Sequence, residues 1–422
     1  MSIIRKRSAS RQRPMAGGAP SYVAPGVYGE EARAQAEQIT GVATSIAAFV
    51  GRAPGGPVEE PTLISSWTDF AAGFGDPDAL GKGPFMAGSY LAHAVYGFFQ
   101  NGGGICWVVR LVEEPGGSEA AHRRGLSALS PIDDIMIVCM PDLQDLGRDP
   151  QDEGARALQA AMVAHCEALG PRMAILDAPP SMSSQELEAW LDGTAALDSK
   201  SATIYHPWIQ VVGPLSDRAL LVPPCGHVAG VWARTDSERG VHKAPANEVV
   251  RGAQGLASEV TEHDQAALNG VGVNCIRSFP GMGIRIWGAR TLSSDPDWRY
   301  VNVCRLFDYI AASVIKGTEW AGVQPNDERL WRQLQGLIAG FLTTSWREGA
   351  LFGATPEQAF FVRCDAETNP PELVRAGQVN IEIGIAPVKA SEFIVFEISH
   401  YRPDPLASSR ARAARRDTPS AS

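Results

Sequence analysis

A strand–helix–strand pattern of apolar and polar positions is clearest in the middle of the chain. Residues 135–140 form a continuous apolar run, which predicts a strand of a parallel sheet buried on both faces. Residues 152–169 repeat apolar side chains at helical spacing, and residues 173–176 give the return strand. Ser183 and Glu186 then form a capping box for the next helix. The pattern predicts a right-handed crossover in a parallel sheet.

Shorter elements are predicted before this unit. Residues 45–50 and 62–64 are typical of strands, and residues 66–74 of a short helical turn. Residues 84–99 have apolar side chains at helical spacing, and three consecutive glycines after them end the helix. Residues 105–111 then read as a strong strand. This part is therefore rich in strands.

The last third of the chain has a different pattern. Residues 302–318 and 327–347 predict two long helices with apolar stripes. The isoleucines of residues 379–385 alternate with Asn, Glu and Gly, which indicates a sheet with one buried face. The strands predicted here are residues 284–289, 359–363, 379–385 and 392–398. The pattern predicts an α+β domain after an α/β domain.

Composition excludes several classes of protein. The 422 residues are 45% hydrophobic and 20% charged, which is typical of a globular chain and not of a disordered one. No apolar run is long enough for an ordinary transmembrane helix, so we expect no direct membrane insertion. The seven cysteines are dispersed without metal-type spacing, which favours reduced, buried thiols. We expect no metal and no cofactor.

The net charge of −10 is unevenly distributed. Residues 1–20 hold five basic residues and no acidic one, and residues 401–422 hold five Arg and two Asp. An acidic body with two basic tails is not typical of a nucleic-acid-binding protein. It favours tails that contact an acidic surface, such as another copy of the chain, although tails that are only disordered and solubilising fit the composition equally well.

One constellation resembles catalytic chemistry. Asp142 and Asp177 each follow a predicted parallel strand, at the edge where open α/β sheets place their sites. His227 lies in the stretch Gly-His-Val-Ala-Gly, which looks like the histidine motif of subtilisin proteases. A later serine motif is missing, so a relay has no nucleophile to activate. We therefore predict no catalytic residue, with Asp177 capping a turn and His227 hydrogen-bonded in a loop.

Several segments resemble contractile tail sheath proteins of phages and contractile injection systems. The most specific stretch is residues 226–247, which includes Gly-His-Val-Ala-Gly, Ala-Arg-Thr-Asp and Arg-Gly-Val-His-Lys-Ala-Pro-Ala-Asn. The family usually has an aromatic residue where His242 stands. Further matches lie at residues 25–31, 44–53, 56–57, 61, 66–70, 74–75, 102–110, 269–274, 276–277, 288–292 and 300–303. The resemblance covers about residues 22–400.

The resemblance implies a polymer without enzymatic activity. In the family, hexameric rings of this protein stack helically around an inner tube, and contraction drives the tube through a target envelope. It implies a subtilisin-like parallel-sheet middle domain without a working triad, and terminal arms that exchange strands between subunits. The expected divisions are a basic N-terminal arm (1–21), an N-terminal sheath segment (22–110), the subtilisin-like α/β domain (111–280), the C-terminal α+β sheath domain (281–400) and a basic tail (401–422).

The resemblance also implies partners and contact residues. Expected partners are the chain itself, an inner tube protein, and baseplate and tail terminator proteins, with assembly in the bacterial cytoplasm into a phage tail or phage tail-like particle. For the arm strands, a proline-containing strand near residue 25 has no local hairpin partner, and the last strand is apolar on both faces. The predicted arm residues are Tyr22, Val23, Val27, Tyr28, Phe393, Ile394, Val395, Phe396 and Ile398.

Tube contact is expected on the second long helix. Its charged residues Arg329, Arg332 and Arg347 lie away from its apolar stripe, and the family places this domain on the inner side of the sheath. The alternative is that these charged side chains only solvate an exposed face of the helix and contact no partner. For the whole chain, the alternatives are a subtilisin-fold serine hydrolase and a baseplate or tail-terminator relative that shares the C-terminal domain.

Overall fold

The computed structural model describes residues 38–76, 83–112, 118–145, 153–180, 182–192, 197–213 and 218–389. The strands are β1 Ala47–Arg52, β2 Thr62–Ile64, β3 Cys106–Leu111, β4 Ile137–Cys139, β5 Met173–Asp177, β6 Ala202–His206, β7 Ile209–Val212, β8 Ala219–Val222, β9 Glu248–Val249, β10 Gly255–Leu256, β11 Val273–Phe279, β12 Gly283–Ile286, β13 Phe360–Arg363 and β14 Glu382–Ile385. The helices are α1 Trp67–Phe74, α2 Leu91–Gln100, α3 Ser118–Ala128, α4 Glu153–Leu169, α5 Ser184–Asp192, α6 Cys225–Arg239, α7 Glu262–Gly270, α8 Val301–Thr318, α9 Glu328–Arg347, α10 Pro356–Ala359 and α11 Pro371–Arg375.

Among the described residues, nine strands form one mixed sheet in the order β2-β3-β1-β4-β5-β6-β11-β12-β9. The six strands from β3 to β11 in that order run parallel, and β2, β12 and β9 add antiparallel edges. The strands on the two sides of the boundary expected at residue 110 are therefore neighbours in a single sheet. β12 also extends this sheet beyond the boundary expected at residue 280. Sequence spacing did not show these long-range pairings.

Both faces of the nine-stranded sheet are covered by buried apolar side chains. One core packs α1, α2 and α6 against it, with Phe49, Phe98 and Trp232 fully buried. The other packs α3, α4, α5 and α7, with Leu158 and Met162 fully buried. This three-layer arrangement explains why the parallel strands are continuous apolar runs. The predicted strand–helix–strand unit is confirmed, since α4 lies between β4 and β5 in the chain and these two strands pair in parallel.

A third core follows in the last third of the chain. α8 and α9 pack together through Leu306, Ile310 and Phe341, and the antiparallel pair β13–β14 packs on them. Two further strands, β8 and β10, pair with β7 in a small antiparallel sheet. All seven cysteines are buried, as predicted, and they are free thiols in the structure.

Several predicted element boundaries were wrong for local reasons. α2 begins at Leu91 rather than at residue 84, because Gly88 has a positive φ of 75° and the Ser89 hydroxyl accepts the Leu91 N–H. β14 begins at Glu382, since the backbone of Asn380 is engaged by the Asn369 side chain. Residues 392–398, predicted as the last strand, lie outside the described residues.

Candidate functional site

Asp142 and Asp177 both lie at the carboxyl edge of the parallel sheet, as predicted, but each is used structurally. Asp142 is buried after β4 and accepts the backbone N–H groups of Arg52 (2.6 Å) and Tyr90 (2.5 Å) and the Ser89 hydroxyl (3.0 Å). It thereby ties the loop before α2 to the end of β1. Burial raises the pKa of this carboxyl, against the lowering effect of these donors.

Asp177, the last residue of β5, caps α6. Its carboxylate accepts the Cys225 N–H at 2.8 Å, where Pro224 offers no side-chain cap of its own. A carboxylate at a helix N-terminus is favourable, because it satisfies an orphan donor and complements the helix dipole. Burial raises the pKa of Asp177 to about 7. The prediction that Asp177 caps a turn is wrong, because its carboxylate instead caps a helix that begins 48 residues downstream.

His227 does not join a relay with either carboxylate. It lies on α6 rather than in a loop, it is buried, and its Nδ1 atom has no hydrogen-bond partner among the described residues. A Cβ atom at Gly97 would lie 2.3 Å from that nitrogen, so the ring packs directly on the backbone of α2. Burial, and then the neighbouring His93, lower the pKa of His227 to about 4. The imidazole is therefore neutral near pH 7.

The Gly-His-Val-Ala-Gly stretch is a helix-packing motif. A Cβ at Gly226 would lie 2.3 Å from both Cα and O of Ala94, and one at Gly230 would lie 2.4 Å from the Phe98 carbonyl oxygen. Glycine at these two positions therefore lets α6 approach the backbone of α2 closely. The resemblance to a protease histidine motif comes from this spacing and not from catalysis.

The Ala-Arg-Thr-Asp stretch that follows holds two buried charges. Arg234 donates to the carbonyl oxygens of Asn101 (2.7 Å) and Val249 (2.7 Å), which fixes the glycine turn after α2. Asp236 forms a bidentate ion pair with Arg305 of α8, at 2.9 and 2.5 Å. Sequence reasoning missed this pair, although Arg305 is a charge within the apolar run of residues 301–307.

The Arg305–Asp236 pair connects three parts of the chain. Arg305 also donates to the Thr44 carbonyl oxygen at 2.8 Å, and the Thr44 hydroxyl donates to Asp236 at 2.6 Å. The guanidinium lies 4.7 Å from the Trp232 ring centroid. Both charged side chains are 5% exposed. A buried pair with all these partners resists rupture, because losing one member would leave an uncompensated charge.

The candidate tube-contact residues lie on one exposed face of α9. Arg329, Arg332 and Arg347 are all exposed, while Leu330, Leu334 and Phe341 are buried on the opposite face. Gly336 and Gly340 lie between the arginines on the same face, and a Cβ built on either would meet nothing within 4 Å. The face is therefore a shallow track about 27 Å long with cationic ends.

The predicted arm residues, Tyr22 to Tyr28 and Phe393 to Ile398, lie outside the described residues. The described residues do contain a candidate acceptor, the two-stranded sheet β13–β14. One of its faces packs on the third core through Phe360, Ile383 and Ile385. Packing on helices can make a two-stranded sheet stable by itself, and its strand edges are places where further strands can pair.

Within the described part of the chain, no group of three or more His, Cys, Asp or Glu could hold a metal ion. No described helix is both long and apolar enough to cross a membrane. An open cleft of about 530 Å³ lies where α6 ends, lined by residues that include Glu238, His242, Tyr309 and Glu348. Its mixed charges do not resemble a catalytic arrangement.

Comparison with known proteins identifies the family. Models of the phage tail sheath protein central domain and of the phage tail sheath C-terminal domain match residues 119–292 and 293–400, respectively. The chain belongs to the phage tail sheath family. The Arg305–Asp236 pair thus joins the central domain of a sheath protein to its C-terminal domain.

Three similar sheath-related proteins show the extent of the likeness. A prophage major tail sheath protein of Pseudomonas aeruginosa (strain UCBPP-PA14) is 26% identical over 347 residues, 79% of this chain and 83% of that protein. The contracted helical sheath of the anti-feeding prophage is 30% identical with a TM-score of 0.73, over 90% of this chain and 100% of that one. A chain of the six-fold symmetrised baseplate of the same prophage is 29% identical with a TM-score of 0.72 and the same coverage.

These likenesses establish the class of protein. The chain is a structural subunit of a contractile tail sheath, with the mixed α/β fold of solved sheath structures. Its relatives are structural sheath proteins and not enzymes, which disfavours the serine hydrolase alternative.

Proposed function

We propose that six copies of the chain form a ring, and that rings stack helically around an inner tube and contract to drive it through a target envelope. The six-fold symmetry of a similar baseplate and the contracted helical sheath of a similar protein support this arrangement. In this proposal the partners are further copies, a tube protein, and baseplate and terminator proteins, and assembly occurs in the bacterial cytoplasm. The central domain would be a subtilisin-like fold without activity.

Arm exchange is proposed as the link between copies. The observation that supports it is the sheet β13–β14, which has two strands and a buried face among the described residues. Strands added by a neighbour's arms would pair with the edges of this sheet and supply main-chain hydrogen bonds. Such strand addition also protects apolar arm strands from non-specific association.

Tube contact is proposed for the exposed face of α9. Its glycines let a partner approach the helix backbone, and Arg329, Arg332 and Arg347 select an acidic surface. Polar contacts of this kind set register and association rate more than affinity, so they can be released when the sheath contracts.

Electron microscopy of the purified chain tests self-assembly, since a sheath protein should form tubes or rings. Deleting residues 1–28 should leave a folded monomer, because the arm strand is lost while the cores remain. Normal sheaths from the truncated chain would contradict arm exchange.

Charge reversal tests the tube contact separately. Arg329→Glu with Arg332→Glu should block sheath growth on tubes and leave tube-free polymers intact. Arg123→Glu is the matched control, because Arg123 is an exposed helical arginine on α3, far from α9 in sequence. Growth of the reversed protein on tubes at the parent's rate would show that α9 is not the contact.

A further inference from the structure

A cluster of exposed apolar side chains lies on the hairpin β7–β8 and is defined here as the β8 patch. It consists of Val212 and Leu221, which are 45% and 39% exposed and share one face of the hairpin, because Val212 pairs with Ala219 and Leu221 pairs with Gln210. Within the described residues, β8 pairs only with β7, so its outer edge presents unpaired backbone groups beside these side chains. An apolar edge strand of this kind is a template for pairing with another chain. The flanking Arg218 is exposed.

A second apolar cluster, the β2 patch, lies at one end of the nine-stranded sheet. It consists of Leu63 and Ile105, which are 51% and 42% exposed. β2 is the terminal strand of the sheet, and Leu63 pairs with Trp107 of β3. Ile105 lies two positions before Trp107 and shares its face of the sheet. The flanking Glu60 is exposed.

The two patches cannot cover each other within one chain. β7 begins at Ile209, three residues after β6 ends at His206. Four strands separate β6 from β2 in the sheet, which at the usual spacing corresponds to about 24 Å. The hairpin that carries the β8 patch therefore starts five strand positions away from β2 in the sheet. Two separate apolar patches on one chain are suited to a head-to-tail contact between identical subunits. Such contacts close into a ring or continue as a helix.

We propose that the β8 patch of one copy docks on the β2 patch of the next copy in the sheath. The occupant is a second copy because the flanking charges are complementary, with Arg218 beside one patch and Glu60 beside the other. The patches are also both apolar, and each includes an edge strand that can accept a partner strand. This contact depends on the self-assembly proposed for the chain but is separate from arm exchange and from tube binding.

Reciprocal charge substitution tests this contact in the full-length chain. Leu221→Glu places an acid against Glu60 of the neighbouring copy, and Leu63→Lys places a base against the neighbour's Arg218. Each single variant should lower the sedimenting polymer fraction about tenfold. The chain that carries both substitutions should recover to within about twofold of the parent, because the acid introduced by Leu221→Glu in one copy then faces the base introduced by Leu63→Lys in the next. Val323→Glu, at a side chain 87% exposed and outside both patches, is the control and should assemble normally.

Recovery of assembly in the double variant distinguishes a docking defect from a folding defect. Two folding defects five strands apart would add rather than cancel. Polymer levels like the parent's in both single variants, or no recovery in the double variant, would overturn the proposal. Failure of the parent itself to polymerise would instead contradict the proposed function.

A cross-linking experiment covers the case in which a charged variant does not fold. The native cysteines are all buried, so Leu63→Cys with Leu221→Cys adds the exposed thiols. Oxidation of assembled protein should give a ladder of covalent oligomers up to the ring size, and neither single variant should give it. Covalent dimers from Leu221→Cys alone would indicate a symmetric contact between two β8 patches, and the absence of any ladder would exclude docking.

Discussion

Replacing Gly226 by alanine tests whether the Gly-His-Val-Ala-Gly stretch packs helices or holds a loop. A Cβ at Gly226 would lie 2.3 Å from Cα and O of Ala94 and 2.6 Å from its carbonyl carbon. All three atoms belong to the backbone of α2, so no side chain can rotate away. The two helices must separate by roughly 1 Å to restore ordinary contact, which disturbs the core around Phe98.

The expected cost follows from two opposing effects. Overpacking of this kind costs about 1–3 kcal/mol and sometimes more. Alanine recovers up to about 1 kcal/mol relative to glycine in a helix, and less near the first turn, where Gly226 lies. The net loss should therefore be about 0.5–2.5 kcal/mol. For a large cooperative unit this lowers Tm by roughly 1–5 °C.

Gly336→Ala is the matched control. Gly336 is also helical, but it is exposed, and a Cβ there meets nothing within 4 Å. Helix propensity alone then acts, so this variant should gain about 0.5–1 kcal/mol. Urea unfolding followed by circular dichroism measures both variants against the parent. Equal or greater stability of Gly226→Ala would refute the close-packing interpretation of the motif.

The buried titratable groups give three further predictions. The pKa of Asp177 is raised to about 7, so this carboxyl binds a proton more tightly in the folded state and its contribution to stability falls as pH rises from about 4 to 7. Asp177→Asn should reduce this loss of stability by up to roughly 4 kcal/mol, as measured by the free energy of unfolding across pH. The pKa of His227 is lowered to about 4, so the opposite holds and stability is lost as pH falls from 6.5 towards 4. His227→Gln should reduce this acid sensitivity in thermal melts. An unchanged pH profile would contradict a buried, neutral His227. Arg305→Met alone should cost about 3–5 kcal/mol, and Arg305→Met with Asp236→Leu should recover most of it in a double-mutant cycle.

Local signals in the sequence were sufficient for most individual elements. The apolar run before Asp142 predicted a buried parallel strand, which β4 confirms with a shorter span. The capping box predicted at Ser183 and Glu186 is present, with the Ser183 N–H donating to Glu186 at 2.8 Å. Both long helices of the last third were predicted to within one residue. These features depend on side chains a few positions apart, whose pattern the sequence displays directly.

Motif resemblance predicted the family correctly, because the matched segments extend over most of the chain. It did not reveal what the most specific motif does. Gly226 and Gly230 are required by a helix more than 120 residues earlier, and Asp236 by an arginine 69 residues later. The contact residues proposed for the arms and for α9 remain predictions.

The sequence by itself determined the periodicity of the strands and helices, the absence of a nucleophile motif and the uneven charge. Only the tertiary structure decided that strands on both sides of residue 110 share one sheet, that Asp177 caps α6, and that Arg305 and Asp236 join the central and C-terminal domains. The physical reason is that strand order and buried pairs are selected by the free energy of burying whole faces together. That free energy depends on residues far apart in the chain, whereas periodicity depends on neighbours.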